Sequence, residues 1–197
     1  MKAILISIQP KWVAKILNGE KTIEVRKTMP KCDLPIDVYI YCTKDSKHKL
    51  EYCDINEGCW SANDGGDYFN GKVIAKFTLN KVEEIENHIL HDYMETKSLS
   101  CVELEKQSCL DLENLYKYLG INNGYAIYIS DLEIFDKPKE LNEFYKGFKN
   151  KYYKREFGLD TYIDKYGVLV QPTKKGYEYT YKLIQAPQSW CYVEVED

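Results

Sequence analysis

Three side chains within six residues, Lys21, Glu24 and Arg26, set a carboxylate between two cations. An arginine can hold a phosphate or a base edge through two parallel N–H donors. A lysine gives a phosphate a point charge and, when desolvated, can act as a base. A glutamate can accept from an amino group such as that of cytosine. Thr22 and Ser7 add hydroxyls, Lys11 adds a cation, and Trp12 adds a ring on which an unpaired base can stack. The plainer reading of the same residues is a Glu24–Arg26 ion pair on a strand surface and a Trp12 that only packs against a core. Exposed pairs of that kind contribute little.

The elements that must position these groups are legible around them. Lys2 to Ile8 is apolar and β-branched, which predicts a buried strand. Pro10 suits a first helical turn, and Trp12, Val13, Ile16 and Leu17 recur at helical spacing. Gly19 can supply the left-handed residue that ends a helix from about Pro10 to Asn18. Residues 21–27 then alternate as a strand. Ile23 and Val25 face one way, and Thr22, Glu24 and Arg26 face the other, toward a cleft beside the helix.

Further along, strands are expected over Ile36–Thr43, Gly71–Leu79 and Tyr125–Phe135, with final strands at 180–184 and 189–195. Residues 44–70 are polar and rich in Gly, Asp and Asn, and read as a long loop. Residues 81–92 read as helical or irregular, and 93–119 as one or two helices ending near Gly120. Asp136 and Pro138 resemble a helix start, which predicts a helix over 139–157. The mixture suggests an α+β fold with a curled or closed sheet.

Other segments carry weaker chemistry. Residues 144–166 interleave aromatic and basic side chains, as a single-stranded nucleic-acid surface does, but an amphipathic helix with a solvated basic face fits equally. A Pro-Gln-Ser-Trp turn at 187–190 is either core closure or a cleft wall. Cys42, His48, Cys53 and Cys59 share one region but lack the close pairs of structural zinc, so no metal is expected. His88 and His91 lack a third ligand nearby.

The 197 residues suit a single domain, 1–197, that can bury a core. No apolar run approaches the roughly 20 residues of a membrane helix, so no membrane partner is expected. Met1 to Ile8 reads as a strand and not as a signal peptide. Seven cysteines, an odd number without a CxxC pair, suit a reduced cytoplasmic chain. The net charge of −4 is uneven. Residues 1–49 hold ten Lys/Arg against five Asp/Glu, whereas residues 50–136 hold six against seventeen. A phosphate senses charge only within about 8 Å at physiological salt, so the acidic total does not exclude nucleic acid.

The segment Ile8 to Arg26, with Gly19, Lys21, Glu24 and Arg26 in a Gly-x-Lys-x-x-Glu-x-Arg pattern, resembles the opening of the ASCH family. Gly71–Phe77, Ile129–Pro138 and Ala186–Val193 resemble further segments of ASCH proteins from Gram-positive bacteria and their phages. Residues 44–70 and 86–124 do not share the likeness and read as insertions, the second of them acidic and helical.

The resemblance implies a PUA-like mixed β-barrel with short flanking helices, and a cleft between first helix and barrel that takes RNA or a modified nucleotide. Some relatives are enzymes. One branch deacetylates N4-acetylcytidine with a Lys, a Thr and a Glu, and others are linked to RNA cleavage. Here Glu24 stands at the position of the threonine, and no counterpart of the catalytic glutamate appears near Ala75.

The expectation is therefore a nucleic-acid-binding module using Lys21, Thr22, Glu24, Arg26, Trp12, Lys11 and Ser7, with no cofactor. One alternative is a hydrolase of a modified base or RNA that uses Lys21 and Glu24. Another is a protein-interaction module that engages a basic partner through the acidic stretch 83–113.

Overall fold

The β-branched opening forms strand β1 (Lys2–Ile8), and Pro10 starts helix α1 (Pro10–Leu17) at its first turn. Gly19 follows with φ +74, the left-handed conformation expected of it. The motif strand β2 (Ile23–Arg26) comes next, then β3 (Ile36–Cys42). These elements come from a computed structural model, which describes residues 2–53, 59–63, 69–147, 162–163, 168–173 and 176–195.

The polar stretch expected as a loop contains a hairpin, β4 (Lys49–Cys53) and β5 (Cys59–Asn63). It docks on α1: the Asn18 amide donates to Trp60 O at 2.9 Å and accepts from Trp60 N–H at 2.9 Å. Leu50 is fully buried beneath it. Burial of Leu50 and this pairing to Asn18 outweigh the loop-like composition.

Strand β6 (Val73–Leu79) turns at Asn80 into β7 (Val82–His88). The latter was expected to be helical or irregular. It is a strand because it lies between two partners, β8 (Tyr93–Glu95) and β9 (Gly124–Tyr128), and turns Ile85 into the core while Glu84 and Glu86 stay exposed. Helices α2 (Cys101–Ser108) and α3 (Leu112–Leu119) follow β8. Ser100 caps α2 through a reciprocal box with Glu103, and Asp111 caps α3 by accepting from Asn114 N–H at 2.7 Å.

The single strand expected over 125–135 is two, β9 and β10 (Ser130–Lys139), with Asp131 at φ +48 beside a register irregularity. The helix expected over 139–157 does not form in its described part. Pairing with β6 carries β10 through Pro138 to Lys139, and Tyr145–Gly147 is strand β11. Residues 148–161, with most of the aromatic and basic run, lie outside the described residues. The remaining strands are β12 (Tyr162–Ile163), β13 (Val168–Thr173), β14 (Gly176–Lys182) and β15 (Trp190–Glu194).

These strands form a nine-stranded sheet, β10-β6-β3-β1-β15-β11-β14-β13-β12, and a four-stranded sheet, β2-β9-β7-β8. The fold is mixed α+β. The barrel expected from the family likeness is not closed among the described residues, because closure needs a ladder joining the outer strands and none joins β10 to β12. Instead the chain turns corners at β6–β7 and β9–β10, passing from one sheet to the other.

One core fills the space between α1 and a face of the large sheet, with Ile4, Ile6, Val13, Ile16 and Phe77. A second lies between the small sheet and α2–α3, with Ile23, Val25, Leu104, Leu115 and Leu119. Strand β2 thus buries its apolar face under the helical insertion and turns Glu24 and Arg26 toward α1. No helix among the described residues is long and apolar enough to cross a membrane.

Candidate functional site

A cavity of about 560 Å³ opens between α1, β2, α3 and the turn before β15. That volume lies in the range of small-ligand sites. Lys21, Glu24 and Arg26 line its floor and are almost sealed from solvent, at 2%, 7% and 7% exposure. Burying three charges is costly unless each is paired and hydrogen-bonded.

The pairing is continuous. Glu24 Oε1 lies 2.9 Å from Arg26 Nη2, and Glu24 Oε2 lies 3.4 Å from Lys21 Nζ. Arg26 Nη2 also donates to Ser7 O at 2.7 Å, and Arg26 Nη1 reaches Ser189 Oγ at 3.4 Å. Lys21 Nζ donates to Ser108 O at 2.6 Å. Burial pushes the Lys21 ammonium below its ordinary pKa, and the Glu24 carboxylate opposes that shift. Arg26 Nε is buried and has no hydrogen-bond partner.

Lys21 and Glu24 are three residues apart, so a straight strand would place them on opposite faces. They meet because β2 begins only at Ile23. Before it the chain turns, with Glu20 N–H and Lys21 N–H both bonded to Lys15 O. The same turn removes Thr22 from the site. Its side chain is exposed and does not line the cavity, and its backbone instead bonds to Gln107 O and Ile129 N–H.

Ser7, Lys11 and Trp12 do line the cavity with the motif. Ser7 Oγ donates to Pro187 O at 2.6 Å. Trp12 lies under two cations, Lys11 Nζ at 4.4 Å and Lys21 Nζ at 5.5 Å from its ring centre. It also packs against the core. The Pro-Gln-Ser-Trp turn is a cleft wall: Gln188 and Ser189 line the cavity.

Sequence reasoning missed the outer wall. Asn114, Lys117 and Tyr118 of α3 face the cavity, although residues 86–124 read as an insertion apart from the site. The only hint was the helical spacing of Leu112, Leu115 and Leu119, which places Lys117 and Tyr118 off the apolar stripe. Among the described lining residues are four cations, Lys11, Lys21, Arg26 and Lys117, and one anion, Glu24.

Among the described residues, Cys42, His48 and Cys59 do not line this cavity. Cys42 is buried, its thiol is pushed up to about 12 by burial, and it donates to Asn70 Oδ1 at 3.6 Å. Cys53, another of the residues weighed for zinc, has its side chain outside the described residues.

The structure is similar to that of an ASCH protein from Zymomonas mobilis, at 18% identity over 71% of this chain and 73% of that chain, with a TM-score of 0.46. A point mutant of the same protein aligns at 17% identity over 72% and 77%, with a TM-score of 0.47. No curated protein matches the sequence. The ASCH domain model matches residues 6–175, most of the sequence, and the chain belongs to the ASCH domain family.

Proposed function

We propose that this protein binds single-stranded RNA or a nucleotide in the cleft between α1 and α3. The observation that carries the reading is the charge of the cleft. Four cations against one anion line it, in a chain whose net charge is −4. Such a local reversal attracts an anionic ligand. Trp12 and Tyr118 on facing walls offer rings to a base, and the family is generally thought to bind RNA. Lys21, Glu24, Arg26, Lys11, Trp12 and Ser7 are the binding residues in this reading, joined by Lys117 and Tyr118. Thr22 drops out.

A hydrolase is the second reading, and the desolvation of Lys21 favours it, since a buried amine can serve as a base. Against it, the Lys21 side chain donates to Ser108 O and faces a carboxylate that opposes loss of its proton. Little or no N4-acetylcytidine hydrolysis is expected. A protein partner on residues 83–113 would meet Leu90 and Val102, which are exposed.

The test is fluorescence anisotropy with labelled single-stranded RNA across a salt series. Binding whose affinity falls as salt rises is expected, because phosphate contacts release counterions. Absence of binding to RNA, DNA and free nucleotides overturns the proposal.

A further inference from the structure

Hydrogen-bond donors and acceptors on the cleft floor do not balance. Glu24 is the one carboxylate among the described lining residues, and both its oxygens are engaged, one by Arg26 and one by Lys21. The nearby carbonyls are engaged as well. Ser7 O takes Arg26 Nη2, Ser108 O takes Lys21 Nζ, Pro187 O takes the Ser7 hydroxyl and Ser189 O takes Ser7 N–H. The slack lies with the donors. Arg26 Nη1 has one contact, long at 3.4 Å, and Arg26 Nε has none. The floor also carries two buried cations against one buried anion.

We infer that this floor reads a carbonyl oxygen, so that the cleft prefers nucleotides with a keto base, uracil or hypoxanthine, over those with an amino base, cytosine or adenine. The inference rests on the nucleotide reading above. A keto oxygen is a neutral acceptor that suits Arg26 Nη1, whose one contact is long, and sits well beside net positive charge. An exocyclic amino group brings another donor to a floor where each of these oxygens already accepts one and where the cations outnumber the anion, so it gains less there than a keto oxygen does.

A phosphate would feel the same attraction. Its dehydration costs far more than that of a carbonyl in a pocket also lined by Ile8, Val25 and Leu110. Lys11 and Lys117 lie on exposed parts of the walls and form no ion pair with a carboxylate among the described residues, and they take the phosphate instead.

Isothermal titration calorimetry of the full chain tests this with two near-isosteric pairs, UMP against CMP and IMP against AMP. Each pair exchanges an exocyclic oxygen for an amine and, beside it, a ring N–H for a bare ring nitrogen. The keto member of each pair should bind at least about tenfold tighter. The nucleosides should keep that ratio while binding more weakly overall. Lys117→Ala should weaken all four nucleotides and leave the ratio unchanged. Arg26→Lys, which keeps the charge but loses the fork, should reduce the ratio in protein that melts normally. Equal affinities within both pairs, or tighter CMP and AMP, overturn the inference and leave nucleotide binding standing. Tight binding of inorganic phosphate that blocks all four equally places the phosphate on the floor and also overturns it. If only chains bind, oligouridylate and oligocytidylate replace the mononucleotides, and equal affinity again overturns it. If neither mononucleotides nor single-stranded RNA bind, both readings fall together.

Discussion

The Lys21 ammonium donates to the carbonyl of Ser108 at 2.6 Å, a bond that spans 87 positions of sequence and ties the motif to the last residue of α2. Lys21 thereby supports the fold as well as the cleft. Lys21→Ala leaves Ser108 O without its donor and Glu24 with one cation in place of two. Breaking a buried charged pair typically costs about 3–5 kcal/mol. Denaturant unfolding should show a loss of that order, and Lys21→Ala with wild-type stability would mean that the bond and pair contribute nothing.

Arg26→Ala and Glu24→Gln should separate the two charges of the floor. Arg26→Ala removes a charge-assisted contact and should weaken single-stranded RNA binding by about 1–3 kcal/mol. Glu24→Gln removes the only anion among the described cleft-lining residues, so attraction to phosphate should hold or strengthen even as thermal stability falls. Anisotropy titrations paired with melting curves check both. Normal melting and unchanged affinity in Arg26→Ala would reduce the motif to a structural ion pair.

Acid should loosen the small sheet through Glu83. Its carboxylate accepts from Thr96 Oγ1 at 2.6 Å, Ser98 Oγ at 2.7 Å and Tyr128 OH at 3.1 Å, and it pairs with Lys81 at 3.2 Å. Burial opposes ionisation, but the donors together outweigh it and hold the carboxyl at about 2, below an ordinary value of 4.5. The folded state therefore binds this proton more weakly than the unfolded chain. The stabilisation is complete above about pH 4.5 and disappears as pH falls toward 2. Its size is on the order of 1–3 kcal/mol. Unfolding measured between pH 6 and 2 should show Glu83→Gln losing less stability than the parent over that window.

Gly124 sets how closely α3 lies on β9. A Cβ there would fall 2.7 Å from Leu119 Cδ2 and 3.3 Å from Arg26 O. Gly124→Ala should cost about 1–3 kcal/mol by overpacking. Because α3 carries Asn114, Lys117 and Tyr118, ligand affinity should fall with it. A variant with unchanged melting and affinity would show that Leu119 simply rotates aside.

The sequence by itself determined the opening of the fold. Pro10, the apolar spacing of α1, the positive φ of Gly19 and the alternation of Ile23 to Arg26 are local matters of sterics and period, and they placed Glu24 and Arg26 together beside the first helix. Tertiary structure decided the rest. Val82–His88 is a strand because β9 and β8 flank it, and residues 136–139 stay in β10, which meets β6 at Ile134 and again at Lys139, despite Asp136 and Pro138. Thr22 left the site and Lys21 joined its floor because the turn ahead of β2 breaks the strand alternation. The acidic insertion became a wall of the cleft because Leu104, Leu115 and Leu119 bury against Ile23 and Val25, on the opposite face of the strand that carries the motif. Contacts between residues about 90 positions apart leave no period in the sequence, so neither the wall nor the Lys21–Ser108 bond could be read before the chain was folded.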